Sequence, residues 1–198
     1  MCYVEKMIEK GTGLLLHICC APCAIYPVAE MRAAGVEVTG FFFNNNIHPY
    51  QEFRRRLDSV VAYAEKVALS VIYSDDYRLE DFLAAVAVRP DERCRYCYSS
   101  RLDKTAEVAS SRGFGYFTST LLYSRYQHHD SVRELGQEAG GKYGVDFHYD
   151  DFRRGWQEGI CLSKSYGLYR QQYCGCIYSE KERYAPGDPV AEGNSADL

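Results

Sequence analysis

An α/β fold is predicted, with a parallel sheet covered by helices on both faces, and three observations predict it. Short β-rich runs alternate with helical stretches along most of the chain. The helices between strands are about 10–20 residues long, enough to serve as crossovers joining parallel strands. The first apolar run ends directly in a group of cysteines, and sheets of this kind hold ligands beyond the carboxyl ends of their strands.

The elements follow in order. Residues 13–18 (GLLLHI) are a continuous apolar run and read as a buried strand. Residues 24–34 (AIYPVAEMRAA) read as a helix stopped by Gly35, and 36–43 (VEVTGFFF) as the second strand. Asn44, Asn45, Asn46 and Pro49 mark a loop. Residues 50–68 carry a helical period that sets Phe53, Leu57, Val60, Val61, Ala64 and Val67 on one face. Residues 70–73 are a third strand, and 78–88 a helix ending before Pro90. Residues 98–111 are a helix with Leu102 and Ala106 inward and Gly113 as its stop. A fourth strand is predicted at 114–118, a helix at 128–142 closed by Gly140 and Gly141, and a fifth strand at 145–149. A weaker helix at 155–167 precedes a short helix or loop at 168–180. The tail from Ala185 is polar and contains proline and glycine, so 185–198 is expected to be disordered and 1–184 to form one domain.

Composition limits the function classes. A chain of 198 residues buries on the order of 70% of its unfolded surface and needs no disulfide scaffold. No run of about 20 apolar residues is present, which excludes a membrane-spanning helix of the usual kind. The start, MCYVEKMIEK, has no apolar h-region, so a cytoplasmic location is expected. The net charge is −4 and the pI about 5.8, which excludes a generally basic nucleic-acid binder but not a local basic patch.

Nine cysteines are the unusual feature, and in a reducing compartment tight spacings point to metal binding or thiol chemistry. Seven lie in three groups: Cys19, Cys20 and Cys23; Cys94 and Cys97; Cys174 and Cys176. Cys2 and Cys161 stand alone. Pro22 suits the first turn of a helix, so the first group surrounds a helix N-terminus, where backbone N–H groups favour thiolates. The C-x-x-C of Cys94 and Cys97, set just before a helix, brings two sulfurs together. Gly175 lets the backbone turn so that both flanking sulfurs face one site.

A structural zinc site of Cys94, Cys97, Cys174 and Cys176 accounts for four of these residues. Seven exceed one zinc and suit a four-iron cluster with a further metal ion, or a cluster with spare thiols. Seven thiolates against a cluster and one ferrous ion leave about three negative charges. Arg93, Arg95, Arg101 and Arg170 are the nearby cations in sequence. A zinc-stabilised RNA-binding module and a small electron carrier are competing readings. A thiolation enzyme is a further one, although no Ser-Gly-Gly pyrophosphate loop follows the first strand.

The motifs HICCAPC, FFFNNNIHPYQEFRRR, RCRYCYSSRLDKTA, FTSTLLYSRY, DFRR and YRQQYCGCIYS together resemble the epoxyqueuosine reductase QueH family, from about residue 13 to residue 180. The resemblance implies a Rossmann-like sheet similar to the PP-loop nucleotide-hydrolase-like fold, with the metal site at the strand carboxyl ends. It implies reduction of the epoxide of epoxyqueuosine, at the wobble position of a tRNA anticodon, to queuosine. It implies a [4Fe-4S] cluster with an adjacent mononuclear iron and no cobalamin. The implied ligands are Cys19, Cys20, Cys23, Cys94, Cys97, Cys174 and Cys176, with some members carrying aspartate at the position of Cys23. NNNIHP stands where N-P-N-I-H-P is common, and SRYQHH lacks a lysine common there. That passes any cationic role to Arg125, His128 or His129.

Reducing an epoxide to an alkene takes two electrons, protons and loss of the oxygen as water. Candidate proton donors are His17, His48 and His128, with Asp151 as a proton-handling group or a helix N-cap. His129 and His148 read as solvated. Phosphate contacts are expected from Arg54, Arg55 and Arg56 and from Arg153 and Arg154, extended by Lys164, Lys181 and Arg183. Tyr123, Tyr126 and Tyr169 are candidate stacking surfaces for splayed bases. The expected partners are the tRNA anticodon stem-loop and a low-potential electron donor such as a ferredoxin or flavodoxin, with the chain acting as a monomer.

Overall fold

Leu14, Leu15, Leu16 and Ile18 are all fully buried, as a strand covered on both faces requires. They belong to β1 (Gly13–Ile18), the centre of the sheet in the computed structural model, which describes residues 13–185. β2 (Glu37–Phe42) and β3 (Val71–Tyr73) extend the sheet on one side, β4 (Tyr116–Ser119) and β5 (Asp146–Phe147) on the other. All pairings among the described residues are parallel, in the order β3-β2-β1-β4-β5. The order reverses between β1 and β4, and open sheets of this type bind ligands outside the strand carboxyl ends at that reversal.

The helices are α1 (Ala21–Ala33), α2 (Tyr50–Lys66), α3 (Leu79–Val86), α4 (Arg93–Ser111), α5 (His129–Tyr143), α6 (Trp156–Ser165) and α7 (Ile177–Tyr184). α1 packs against α2 and α6, and α4 packs against α5. Those two sets cover the two faces, as right-handed crossovers on each side of β1 require. No helix among the described residues is long and apolar enough to cross a membrane.

Several expectations are corrected. α4 begins at Arg93, so Cys94 and Cys97 lie inside its first turns rather than before it. A 3₁₀ turn at Pro90–Glu92 starts the helix early, and proline suits that first position because its missing N–H is not needed. α5 runs through Gly140 and Gly141 and stops at Gly144, whose φ of 71° is left-handed. Gly140 serves close approach instead: a Cβ there would lie 2.6 Å from the Val145 carbonyl oxygen. Val61 is 37% exposed because the inward stripe of α2 runs through Phe53, Arg56, Leu57, Val60, Tyr63 and Ala64. β5 is two residues long, and the predicted short helix or loop at 168–180 contains the start of α7, which runs to Tyr184. Residues 1–12 and 186–198, including Cys2 and nearly all of that tail, lie outside the described residues.

Candidate metal centre

The turn from β1 into α1 gathers the first three thiols. Cys20 is the N-cap residue of α1 and Pro22 lies in its first turn. The Sγ atoms of Cys19, Cys20 and Cys23 all lie within 4.8 Å of one another. Cys20 Sγ is 3.8 Å from Cys19 Sγ and 2.7 Å from Cys23 Sγ. Thr120, just past β4, fixes this turn across the sheet reversal. Its Oγ1 accepts from the Cys19 N–H at 3.1 Å and donates to Cys19 Sγ at 3.3 Å. Gln171 Nε2 reaches Cys23 Sγ at 3.5 Å.

The second and third groups line the same cavity as the first. Cys97 Sγ accepts from Arg101 Nη2 at 2.7 Å, one turn along α4. Cys174 Sγ accepts from Gln127 Nε2 at 3.4 Å, and Cys176 caps α7 by accepting from the Ser179 N–H at 3.4 Å. One cavity of about 430 Å³ is lined by Cys19, Cys23, Cys94, Cys97, Cys174 and Cys176. Cys20 is buried and does not line it, but its Sγ lies within 4.8 Å of those of Cys19 and Cys23. Cys161, by contrast, is exposed on α6 and does not line the cavity.

Electrostatics favours a cation among these sulfurs. Hydrogen bonds from the Cys20 and Cys23 thiols hold Cys19 well below the ordinary thiol range. Burial holds Cys20 well above it, and hydrogen bonding to Cys19 and Cys20 does the same to Cys23. Burial also pushes Cys94 and Cys97 up. The metal-free site thus keeps several thiols protonated, and a soft cation would displace those protons. Two fully buried guanidiniums, Arg56 and Arg101, supply fixed positive charge beside the thiols. A dense thiol set with compensating arginines fits a thiolate-bound metal.

A scan against family models matches residues 14–182 to the epoxyqueuosine reductase QueH family. An epoxyqueuosine reductase QueH of Dehalococcoides mccartyi is 36% identical over 178 residues, covering 89% of this chain and 98% of that protein. The protein of the same name from Thermotoga maritima is 37% identical, covering 86% and 91%. That from Haemophilus influenzae is 36% identical, covering 91% and 78%. The chain belongs to the epoxyqueuosine reductase QueH family.

In this QueH-family chain the candidate acids stand back from the cavity. His17 is buried at the end of β1; Nε2 donates to the Phe43 carbonyl at 3.0 Å and Nδ1 accepts from Ser119 Oγ at 2.8 Å. A carbonyl only accepts, which assigns the proton to Nε2. Burial lowers its pKa to about 4, so the imidazole is neutral. His48 is also buried, against the Phe82 and Tyr77 rings, and burial lowers it to about 4. Asp151 caps the 3₁₀ turn Phe152–Gly155 through the Arg153 N–H, and its hydrogen bond from the Arg153 guanidinium lowers its pKa. None of the three lines the cavity. His129, expected to be solvated, is buried and its Nε2 donates to the Ser124 carbonyl at 3.2 Å. His128 is exposed, and Arg125 lies over the Trp156 ring.

The basic runs divide. Arg55 is exposed and Arg54 pairs with Asp58 at the surface, but Arg56 turns inward and is 1% exposed. Arg153 is held by Asp151, and Arg154 by Asp150 and Glu30. Arg93 and Arg183 line the cavity instead. Of the three candidate stacking tyrosines, Tyr126 lines the cavity, as do Tyr98 and Tyr173, whereas Tyr123 is buried with its hydroxyl donating to the Trp156 carbonyl and Tyr169 donates to Glu52. Sequence reasoning missed Asn46, Thr120, Gln127 and Gln171, cavity-lining polar groups with no spacing signature. It also misplaced Arg56, although periodicity carried a signal. Arg56 is i+3 from Phe53 on the buried stripe of α2, as Arg101 is i+3 from Tyr98 on that of α4.

Proposed function

We propose that this chain is an epoxyqueuosine reductase that removes the epoxide oxygen from epoxyqueuosine in the wobble position of a tRNA anticodon. Its centre is a [4Fe-4S] cluster with an adjacent iron, and it uses no cobalamin. The observation that carries this reading is the convergence of six thiols from three separate chain segments on one cavity at the sheet reversal, in a member of this family. Cys19, Cys20, Cys23, Cys94, Cys97, Cys174 and Cys176 hold the metal. When bound, such a centre supplies single electrons and a Lewis acid for the departing oxygen.

The remaining residues prepare the site. Arg56 and Arg101 offset thiolate charge from within the core. Thr120 and Gln127 orient Cys19 and Cys174 through hydrogen bonds to sulfur. His17 and His48 act from behind the cavity wall, and Tyr126 and Ser124 are lining groups that bear hydroxyl protons. Arg55 from the surface of α2 and Arg183 from the cavity lining contact phosphates, and Arg93 does so where phosphate displaces its partner Glu182. Arg153 and Arg154 join them where phosphate displaces their carboxylate partners. A low-potential ferredoxin or flavodoxin supplies electrons to the monomeric chain.

The test is elemental and functional together. After anaerobic purification, about five irons and four sulfides per chain are expected, with turnover of tRNA bearing epoxyqueuosine. About one zinc without sulfide, persisting through iron–sulfide reconstitution, would replace this reading with a zinc-held RNA-binding module.

A further inference from the structure

All three nitrogens of the Arg56 guanidinium donate within the chain. Nε donates to Glu52 Oε1 at 2.7 Å, Nη1 to the Cys174 carbonyl at 2.9 Å and Nη2 to the Tyr173 carbonyl at 2.9 Å. A planar guanidinium grips two successive carbonyls in a fixed fork, which an ammonium does not. Glu52 is anchored in turn by the Tyr169 hydroxyl. The loop after β2 grips the same segment from its other end. The His48 N–H donates to the Gly175 carbonyl at 2.8 Å, and the Tyr173 hydroxyl donates to the His48 carbonyl at 2.6 Å.

Gly175 makes this approach possible. Its φ is 150°, and a Cβ there would lie 3.3 Å from Ile47 Cγ1 and 3.4 Å from Arg56 Nη1. α7, which continues the segment, has no buried residue, but Cys176 packs with Phe82 and Val86, Tyr178 rests on that cluster and Glu182 pairs with Arg93 of α4. At Tyr173–Gly175 the backbone itself is held by directional bonds, from Arg56 on α2 and His48 in the loop before it.

We propose that Arg56, held by Glu52, is the positioning residue that presents Cys174 and Cys176 to the metal centre by latching the backbone at Tyr173 and Cys174 onto α2. The proposal rests on the reading of Cys174 and Cys176 as metal-holding thiols. Arg56 bonds the main chain of this segment, so it acts through the cysteines rather than on substrate.

The experiment uses the full chain in two measurements. Amide hydrogen exchange over residues 172–178 of the metal-free, reduced chain reads the latch itself. Iron retained against a chelator after anaerobic iron–sulfide reconstitution reads its consequence. Arg56→Gln is expected to raise exchange selectively over 172–178 and to weaken iron retention by about 10- to 100-fold. Arg56→Lys restores part of both, because one ammonium replaces the fork. Glu52→Gln combined with Arg56→Gln removes both buried charges, so the same selective release is read without an uncompensated carboxylate. Leu57→Ala, on the same helix but facing the apolar core, lowers general stability without singling out 172–178. Unchanged exchange at 172–178 in Arg56→Gln overturns the proposal, and so does faster exchange with full iron retention. A wild-type chain that takes up no iron overturns the metal-centre reading instead, and the exchange result then decides the latch alone.

Discussion

Arg101 Nη2 lies 2.7 Å from Cys97 Sγ, one turn apart on α4, and both residues are buried. The same guanidinium donates from Nε to the Cys97 carbonyl at 2.9 Å. Replacing it with methionine removes a buried cation and two hydrogen bonds, while Cys97 remains free to protonate. Arg101→Met is expected to lower the unfolding free energy by about 2 kcal/mol and iron retention by about tenfold or more. Urea unfolding followed by Trp156, the only tryptophan of the chain, checks the first, and chelator competition checks the second. Retention equal to the wild type would show that this cation does not serve the metal.

Serine at Cys20, Cys94, Cys97, Cys174 or Cys176 should abolish metal loading or turnover, because an alcohol is a far weaker donor to soft metals than a thiolate. Cys161→Ser should leave both unchanged, since Cys161 is exposed outside the cavity. Iron and sulfide counts on the six variants decide the matter. A Cys161 variant as defective as the Cys97 variant would mean that the ligand set is wrong.

Acid should destabilise the fold through His48. Its folded pKa is lowered to about 4 by burial, below the unfolded value of about 6.5. The unfolded chain therefore binds the proton first as pH falls. Stability from the buried neutral ring is complete above about pH 6.5 and is lost progressively toward pH 4. At about pH 5 the loss is on the order of 1–2 kcal/mol. His48→Gln should flatten this part of the stability profile of the metal-free chain. An unchanged slope between about pH 7 and pH 5 would show that His48 is not the group titrating.

Gly140→Ala should cost about 1–3 kcal/mol, because its Cβ would meet the Val145 carbonyl, which is backbone and cannot swing away. Gly141→Ala, with open space around its Cβ, should be neutral or slightly stabilising in the helix. Thermal melting of the pair separates the two outcomes. Equal melting temperatures would place the α5–β5 contact elsewhere.

Arg55 is the exposed member of its basic run, and Arg56 is not. Arg55→Ala should weaken tRNA binding and reduce the salt slope of log K by about 0.7–0.9. Filter binding across a salt series reads this directly, and an unaltered slope would remove Arg55 from the phosphate contacts.

Much of the architecture was legible in residue order. The continuous apolar run Leu14–Leu16, the β-rich run at β2 and the stripe Phe53, Leu57, Val60 and Ala64 each carry their own period, and period is a local property. The three cysteine groups are equally local, so the candidate ligands could be named before any folding. Where sequence reasoning erred, a local signal competed with a tertiary one. At Gly140 and Gly141 the helix-stopping preference of glycine pointed to an end, while tertiary contact with Val145 used the missing side chain for close approach.

The sequence by itself determined the alternation of strands and helices and the identity of the clustered thiols. Their common destination was decided only by the tertiary structure, since 71 residues separate Cys23 from Cys94 and 77 separate Cys97 from Cys174. Parallel strand order brings the first group and Thr120 together across the sheet reversal, and long-range hydrogen bonds bring in the last. Arg56 shows the limit most plainly. Its charge and its place in an Arg-Arg-Arg run suggest a surface phosphate contact, yet burial turns it into a clamp for Cys174. An isolated charge belongs in water, and only a fold that places Glu52 and two carbonyls around it makes the interior acceptable.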